Sequence, residues 1–489
     1  MAKLFVFGIG GTGSRIIKSL MMLLASGVKI DASEIIPIIV DPDRANGDLN
    51  RTVDLLRLYQ RIRNTEKHTL EFEKNQFFRT KITTLNELVA DGEKQVMTSE
   101  DFRMEIEGVR NERFRDFINY EHLDGANKAL TALLFSEENL ASDMEVGFKG
   151  NPNIGSVVLN KFHKSDEFKH FASNFAENDR IFIISSIFGG TGAAGFPLIL
   201  KNIRNAPDKA WLRDSKIGAI TVLPYFGVAP DEKSKIDKST FISKTKAALS
   251  YYSRNITGNK SVNVLYHLGD NDTKDYDNQE GAAAQQNDAH FVELAGALSI
   301  IDFMAMPDSS LQVVGGKAIS PIEKDFGVEN AAETLNFTHL GNSVSQKLIR
   351  KPLTQFFLFH LFLEQKINAA LKHPWANAGK VQIDDNFLTK PFYQDVRNFL
   401  KRYREWLTEM AKNKIGFSPF NLGVGENNLL NLLNGISPKS SILPFAKTNH
   451  ELFIDRLNDT NIGDLPIEQK FMASLSKATE KIIKDKFDF

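Results

Sequence analysis

Two segments of the chain share one grammar. KLFVFGIGGTGSRIIKSLMMLL at residues 3–24 and IFIISSIFGGTGAAGFPLILKNIR at residues 181–204 each pass from an apolar strand through glycines straight into an amphipathic helix. This is the unit from which doubly wound parallel sheets are built. Glycine lets backbone N–H groups approach an anion closely, and the helix behind it adds partial positive charge at its N-terminus. The pair therefore predicts two phosphate-binding turns on one sheet, and any further reading has to explain why one protein needs both.

The rest of the chain can be placed around them. Residues 3 to about 45 read as strand, glycine turn, helix over about 14–26 and a second strand, IIPIIVD, which is half of a doubly wound sheet. Residues from about 46 to 145 are charged and helix-periodic, with LLRLYQRIRN and MEIEGVRNERFRDF, and show little sign of strands, so a helical insertion is expected. Alternation resumes with GFKGNPNIGSVVLNKF and continues through KIGAITVLPYF, a helix around SKTKAALSYYSR, the strand SVNVLYHL and a long central helix over about 288–305. The strands are rich in Val and Ile, as parallel strands buried on both faces are. Beyond about 306 the glycine turns stop, and amphipathic patterns predict helices near 343–372, 391–413 and 466–486, with short strands such as LNFTHL. The expected fold class is α/β: a doubly wound parallel-sheet domain over 1–305 carrying the insertion, then a mainly helical α+β C-terminal domain over 306–489.

The first loop, with Gly8, Gly10 and Gly13 in GIGGTG, satisfies G-x-G-x-x-G, and Asp41 or Asp43 closes the following strand where an acid could bind a ribose. Alone, it would suit a dinucleotide. The second loop, with Gly189, Gly190, Thr191 and Gly192, repeats the device, yet its G-x-x-x-x-G ends at Gly195 and is followed by Phe196, so the lysine of a Walker loop is missing. A nucleoside triphosphate held without that lysine needs several sources of N–H donors, and two helix N-termini would supply them.

Four loops taken in order add a resemblance. GIGGTG at 8–13, VDPDR at 40–44, GNPNIG at 150–155 and GGTGAAGFP at 189–197 resemble the nucleotide loops of the tubulin/FtsZ superfamily, closest to its divergent bacterial tubulin-like members, and ITVLPYF at 220–226 is like the strand after the family's signature helix. The likeness covers about residues 1–305. It implies a GTPase domain of tubulin/FtsZ type binding GTP or GDP with Mg2+, the magnesium taking few direct protein ligands. It assigns the phosphates to Gly10, Gly11, Thr12, Gly13, Gly150, Asn151, Gly189, Gly190, Thr191 and Gly192, and the second loop to Asp41, Asp43 and Arg44. Asp43 matches an acidic residue there; Asp41 stands where FtsZ has asparagine.

The resemblance also implies that a polar residue early in the central helix reads guanine, which matches Asn287, with Asn271 in the GDND loop a second candidate. As plain sequence, Asn287 reads equally as a helix N-cap and Asn271 as a turn residue. Ala283 occupies the place of the family's stacking aromatic, and Phe291, one turn after Asn287, reads as core. In the superfamily, acidic residues after the central helix orient water at the nucleotide of the next subunit. FtsZ has N-x-D-x-x-D; here IIDFMAMPD offers Asp302 and Asp308 at altered spacing, and each also reads as a solvated helix-end carboxylate. The implied function is a GTP-binding protein that assembles head to tail into filaments and hydrolyses GTP at the subunit interface.

Composition narrows the alternatives. Sixty basic residues against 61 acidic ones create no global field for nucleic acid or an anionic membrane. The absence of cysteine excludes disulfides, thiolate zinc and Cys nucleophiles, and suits a cytoplasmic setting. The first apolar run ends at GIGG, too short for a signal peptide, and FFLFHLFL at 356–363 falls well short of the roughly 18 residues that span a bilayer, so it is expected in the core. His163 and His170 read as surface residues, and no HExxH spacing points to a metal. FLKRYREWL at 399–407 reads as a solvated basic face over an apolar stripe. Two further functions stay open: a non-polymerising GTP-dependent switch or scaffold whose insertion or C-terminal domain serves a protein partner, and, on GIGGTG alone, a Rossmann dinucleotide-binding or adenylating enzyme.

Overall fold

Strands with Ile and Val on both faces require a helical layer on each side, and the computed structural model shows that sandwich. The structure describes residues 2–65, 75–88, 101–104, 106, 108–109, 112–144, 148, 151–206, 209–228, 238–270, 275–276, 287–325, 334–340, 344–439, 448–460, 462 and 464–489. Seven strands make one sheet: β1 (Lys3–Ile9), β2 (Glu34–Val40), β3 (Lys81–Ile82), β4 (Arg180–Ser186), β5 (Lys216–Val222), β6 (Val264–Leu268) and β7 (Ile322–Asp325). All neighbours are parallel, in the order β7-β6-β5-β4-β1-β2-β3. The chain starts in the middle, winds outward to β3, returns to β4 and winds outward the other way.

Because parallel crossovers are right-handed, reversing the winding direction puts the connecting helices on opposite faces. On one face lie α1 (Gly10–Ala25) and α2 (Gly47–Arg63), joined there by the central helix, whose link from β6 to β7 does not follow this rule, while α3 (Pro152–Leu159), the helix Asp166–Asn174 and α4 (Gly190–Arg204) cover the other. Alternating side chains carry the two layers. Phe5 and Phe7 meet Phe171 edge-on at 5.0 and 5.2 Å, whereas Phe182, in register with Val6, meets Phe303 of the central helix at 5.5 Å.

The central helix, α5 (Phe291–Ala305), is apolar all round and therefore internal: every residue from Phe291 to Met304 except Asp302 is buried. It begins three residues later than the pattern predicts, because His290 and Glu293 form a capping box that fixes the start. Its outer side meets the C-terminal region, where Phe291 packs on Phe417 at 5.2 Å, the core role read for it. That region contains α6 (Val344–Gln365), α7 (Pro391–Ala411) and α8 (Ile467–Lys486), close to the predicted spans. Phe356 and Phe359 of the FFLFHLFL run are buried against Phe77, each at 5.2 Å, so the run is core. Among the described residues no helix is long and apolar enough to cross a membrane. Of LNFTHL only Leu335 is strand, paired with Phe417; the Asn336 side chain turns the chain over residues 337–339 by accepting from the Thr338 N–H at 2.9 Å. The insertion, which shows little sign of strands in the sequence, contributes β3, which is two residues long and offers no period to recognise.

Candidate nucleotide site at the switch point

The winding reverses between β1 and β4, and ligands of open α/β sheets bind outside the strand ends at that point. Both glycine turns emerge there. Gly13 lies so close to β1 that a Cβ on it would sit 2.5 Å from the Gly8 carbonyl carbon. Gly10 has φ +72°, a left-handed conformation that favours glycine, and a Cβ there would lie 3.7 Å from the Thr191 Cβ and 3.8 Å from the Gly192 nitrogen. The two loops, remote in sequence, therefore touch. Gly192 in turn hugs β4, its Cβ position only 2.6 Å from the Ser186 carbonyl oxygen. The third expected loop arrives at the same place: Gly155 of α3 is packed so that a Cβ would stand 3.2 Å from the Gly190 carbonyl oxygen and 2.8 Å from the Ala194 Cβ.

Three helix N-termini thus converge, and none is satisfied by its own sequence. The cap positions of α1 (Ile9), α3 (Asn151) and α4 (Gly189) make no side-chain cap hydrogen bond, and none of the three has an acidic residue in its first turn. By contrast α2 is capped by Asn46 and α5 by His290. The leading N–H groups of an uncapped helix are orphans at its positive end. Three such ends in one crevice can hold phosphoryl oxygens from several sides.

The VDPDR loop closes over the first glycine turn. The Asp43 N–H donates to the Asp41 Oδ1 at 3.0 Å and the Ala45 N–H donates to the Asp43 Oδ1 at 3.0 Å, folding VDPDR into a tight turn from which Asn46 reaches to 3.9 Å of the Gly11 Cβ position. Burial raises the Asp41 carboxyl to about 7, opposed by the hydrogen bond from Asp43 and assisted by the Asp43 charge. Arg44 continues this turn, its carbonyl accepting from the Asn50 Nδ2 at 3.3 Å. Gly150 and Asn271 lie outside the described residues.

Asn287 sits at this end, but α5 is capped by His290, so the N-cap reading of Asn287 does not hold. Its N–H donates to the Asp48 Oδ2 at 3.3 Å and its carbonyl accepts from the Arg51 Nη2 at 2.8 Å, which ties its backbone to α2. Asp302 and Asp308 are elsewhere. Asp308 is paired with Lys216 at 2.7 Å and Arg180 at 2.8 Å, the first residues of β5 and β4, so it marks the opposite end of the sheet. A hydrogen bond from Lys216, with one from Arg180, holds its carboxyl below the usual range against a smaller effect of burial. Asp302 accepts from the Tyr266 hydroxyl and pairs with Lys324, both at 2.6 Å.

A buried hub beneath the loops is not visible in the sequence. The Arg15 guanidinium donates to Glu293 Oε1 at 2.7 Å, Asp48 Oδ2 at 2.9 Å and the Tyr225 hydroxyl at 2.6 Å, and the Tyr225 hydroxyl donates to Glu293 Oε1 at 2.9 Å. Burial works against the Arg15 charge, but Tyr225, Glu293 and Asp48 outweigh it and hold its pKa well above the ordinary value. A second layer reaches the C-terminal region: Glu409 of α7 pairs with Arg51 at 2.9 Å and Lys18 at 3.0 Å and accepts from the Ala289 N–H at 3.0 Å. α1, α2 and the residue before the cap of α5 are thereby tied to α7 beneath the glycine turns.

No family model matches the sequence, and no curated relative does. Among solved structures the chain is similar to CetZ from Methanosaeta thermophila, at 13% identity and TM-score 0.27, over 55% of this chain and 46% of that one. It is also similar to a GTPγS-bound protofilament of CetZ2 from Haloferax volcanii, at 12% identity and TM-score 0.29, over 63% and 61% of the two chains. A GTPγS-form protofilament of TubZ from Bacillus thuringiensis serovar israelensis is matched at 12% identity and TM-score 0.29 over 83% and 82%. The first match thus spans less than half of its partner's length.

Proposed function

We propose that the chain binds a nucleoside triphosphate, GTP, in the switch-point crevice, assembles head to tail, and hydrolyses the nucleotide between copies. One observation supports it above the others: Gly10 and Thr191 adjoin, so two glycine turns and a third helix start face a single space. A dinucleotide needs one such turn; three uncapped helix ends suit a polyphosphate with no lysine clamp. GTP rather than ATP follows from the resemblance of the four loops. The same resemblance implies a Mg2+ ion bound chiefly through phosphate oxygens, since that ion takes few direct protein ligands.

In this reading the backbone N–H groups of α1, α3 and α4 position the phosphates, and Asn287, held beside α2, reads the base. Asp308, held by the first residues of β4 and β5, would meet the nucleotide of a neighbouring copy, and Asp302, held by Tyr266 and Lys324, is the second candidate for that role. The test is competition of GTP against ATP and NAD for the purified chain, with light scattering in GTP and in GDP. Tight NAD or ATP binding without GTP affinity rejects the reading, and equal monomer behaviour in both guanine nucleotides rejects its assembly half. A second reading, a GTP-dependent switch or scaffold that makes no filament, draws on the ion pairs that already engage Asp302 and Asp308.

A further inference from the structure

The insertion ends in a small helical knob, residues 112–144, with an exposed apolar face. It is closed on itself by the Arg113–Asp143 bridge, by Phe114 on Phe135 at 4.8 Å and by the Phe114 N–H donating to the Ser142 carbonyl at 3.0 Å. Its helix Gly125–Leu134 has no buried residue, and Leu130, Leu133 and Leu134 are 53%, 85% and 58% exposed. Spaced i, i+3 and i+4, they share one face. The knob is rooted at the glycine-loop end of the sheet: on one side Met104 and Phe102 hydrogen-bond Ile39, next to the last residue of β2, and on the other Phe148 packs against Gly155.

At the opposite end a second patch is apolar and exposed: Trp211 at 56%, Val314 at 68% and Ile319 at 51%. These belong to one surface. The hairpin carrying Val314 is pinned beside Trp211 by the Gly316 N–H, which donates to the Asp214 Oδ1 at 2.7 Å, and Ala318 donates to the Lys260 carbonyl at 2.8 Å. Asp214 lies just before β5 begins, so the patch surrounds the strand starts.

The charges of the two ends are opposite. Residues 112–144 hold seven acidic against three basic side chains. The segments around Trp211 and Val314 hold Lys209, Arg213, Lys216 and Lys317 against Asp208, Asp214 and Asp308, and Lys260 is joined to them through the Ala318 N–H. A chain that carries an acidic apolar knob at one end and a basic apolar patch at the other has the two unlike surfaces that a heterologous contact needs, and such contacts extend into open filaments or rings.

We propose that the knob of one copy docks on the Trp211–Val314–Ile319 patch of the next. This rests on the head-to-tail reading above and names the surfaces that make it. Leu133 and Leu134 supply burial against Trp211, while Glu137 and Glu138 face the lysines, which makes the contact weaken as salt rises.

The experiment is sedimentation velocity and light scattering of the full chain with GTP, with GDP and without nucleotide. It compares wild type with Leu133→Asp/Leu134→Asp, Glu137→Lys/Glu138→Lys and Lys209→Glu/Lys317→Glu. Each variant is expected to bind GTP like wild type, which shows that it is folded, and to need at least about tenfold more protein to assemble. An equimolar mixture of the two charge-reversed variants is expected to recover assembly, because each then meets a complementary neighbour. Variants that assemble at the wild-type concentration overturn this contact and leave head-to-tail association standing. Wild type that stays monomeric in all three conditions overturns both. Assembly that depends on the knob but not on nucleotide keeps this contact and rejects the nucleotide coupling.

Discussion

Replacing Arg15 by Met tests the hub beneath the cradle. The side chains of Asp48 and Glu293 are each 1% exposed, and removing their shared cation leaves two carboxylates in a low-dielectric interior. Breaking a buried pair by deleting one partner costs about 3–5 kcal/mol, because the remaining charge is uncompensated. Here the loss belongs at the lower end, about 3 kcal/mol, since Arg51 still pairs with Asp48 at 2.6 Å and Tyr225 still donates to Glu293 at 2.9 Å. Denaturant titration followed by Trp fluorescence measures it, and Trp406 is well placed, its Nε1 donating to the Ser19 Oγ of α1 at 3.2 Å. The triple variant Arg15→Met/Asp48→Asn/Glu293→Gln should recover most of the loss, because neutral partners need no cation. A single variant within about 0.5 kcal/mol of wild type, or a triple variant no better than the single one, refutes the assignment.

Gly13→Ala should destabilise the fold by about 3 kcal/mol, the upper end of overpacking, because its Cβ would meet the backbone of Gly8 at 2.5 Å and neither side can yield; thermal unfolding reads it. Asp302→Ala/Asp308→Ala should bind GTP normally but lose hydrolysis in the assembled state, so unchanged turnover moves the chemistry to other groups. Asp41→Asn should gain stability over wild type progressively from about pH 4 to about pH 7 and level off above. The raised carboxyl makes the wild-type folded state bind more protons than the unfolded chain in that window, so wild-type stability falls there. A melting-temperature difference that stays flat with pH contradicts it.

What the sequence makes legible depends on how local the cause is. The glycine turns are visible because the residues that build each one are consecutive, and α6, α7 and α8 because the 3.6-residue period extends over many turns. The meeting of the two turns is only implied by the doubly wound order, since it depends on β1 and β4 becoming neighbours. The hub is illegible: Arg15 contacts residues 33, 210 and 278 positions away, and each of its partners read alone is an ordinary charged or aromatic residue. The cap of α5 is easily misplaced because histidine at a cap is uncommon and Asn287 is a better capping residue by type; Glu293, three residues after His290, is the available signal. The knob's leucines resemble any amphipathic stripe in the sequence, and their exposure appears only in the fold.

The central claim is that both glycine loops hold the same triphosphate, and calorimetric titration of GTP into wild type, Gly11→Val and Gly190→Val tests it most directly. Gly11 is the cleaner probe, because a Cβ there meets nothing closer than the Arg15 Nη1 at 3.8 Å. The account predicts one GTP per chain in wild type and loss of binding in each variant separately, with both variants folded. Wild-type affinity in either variant, or two independent sites per chain, would contradict it.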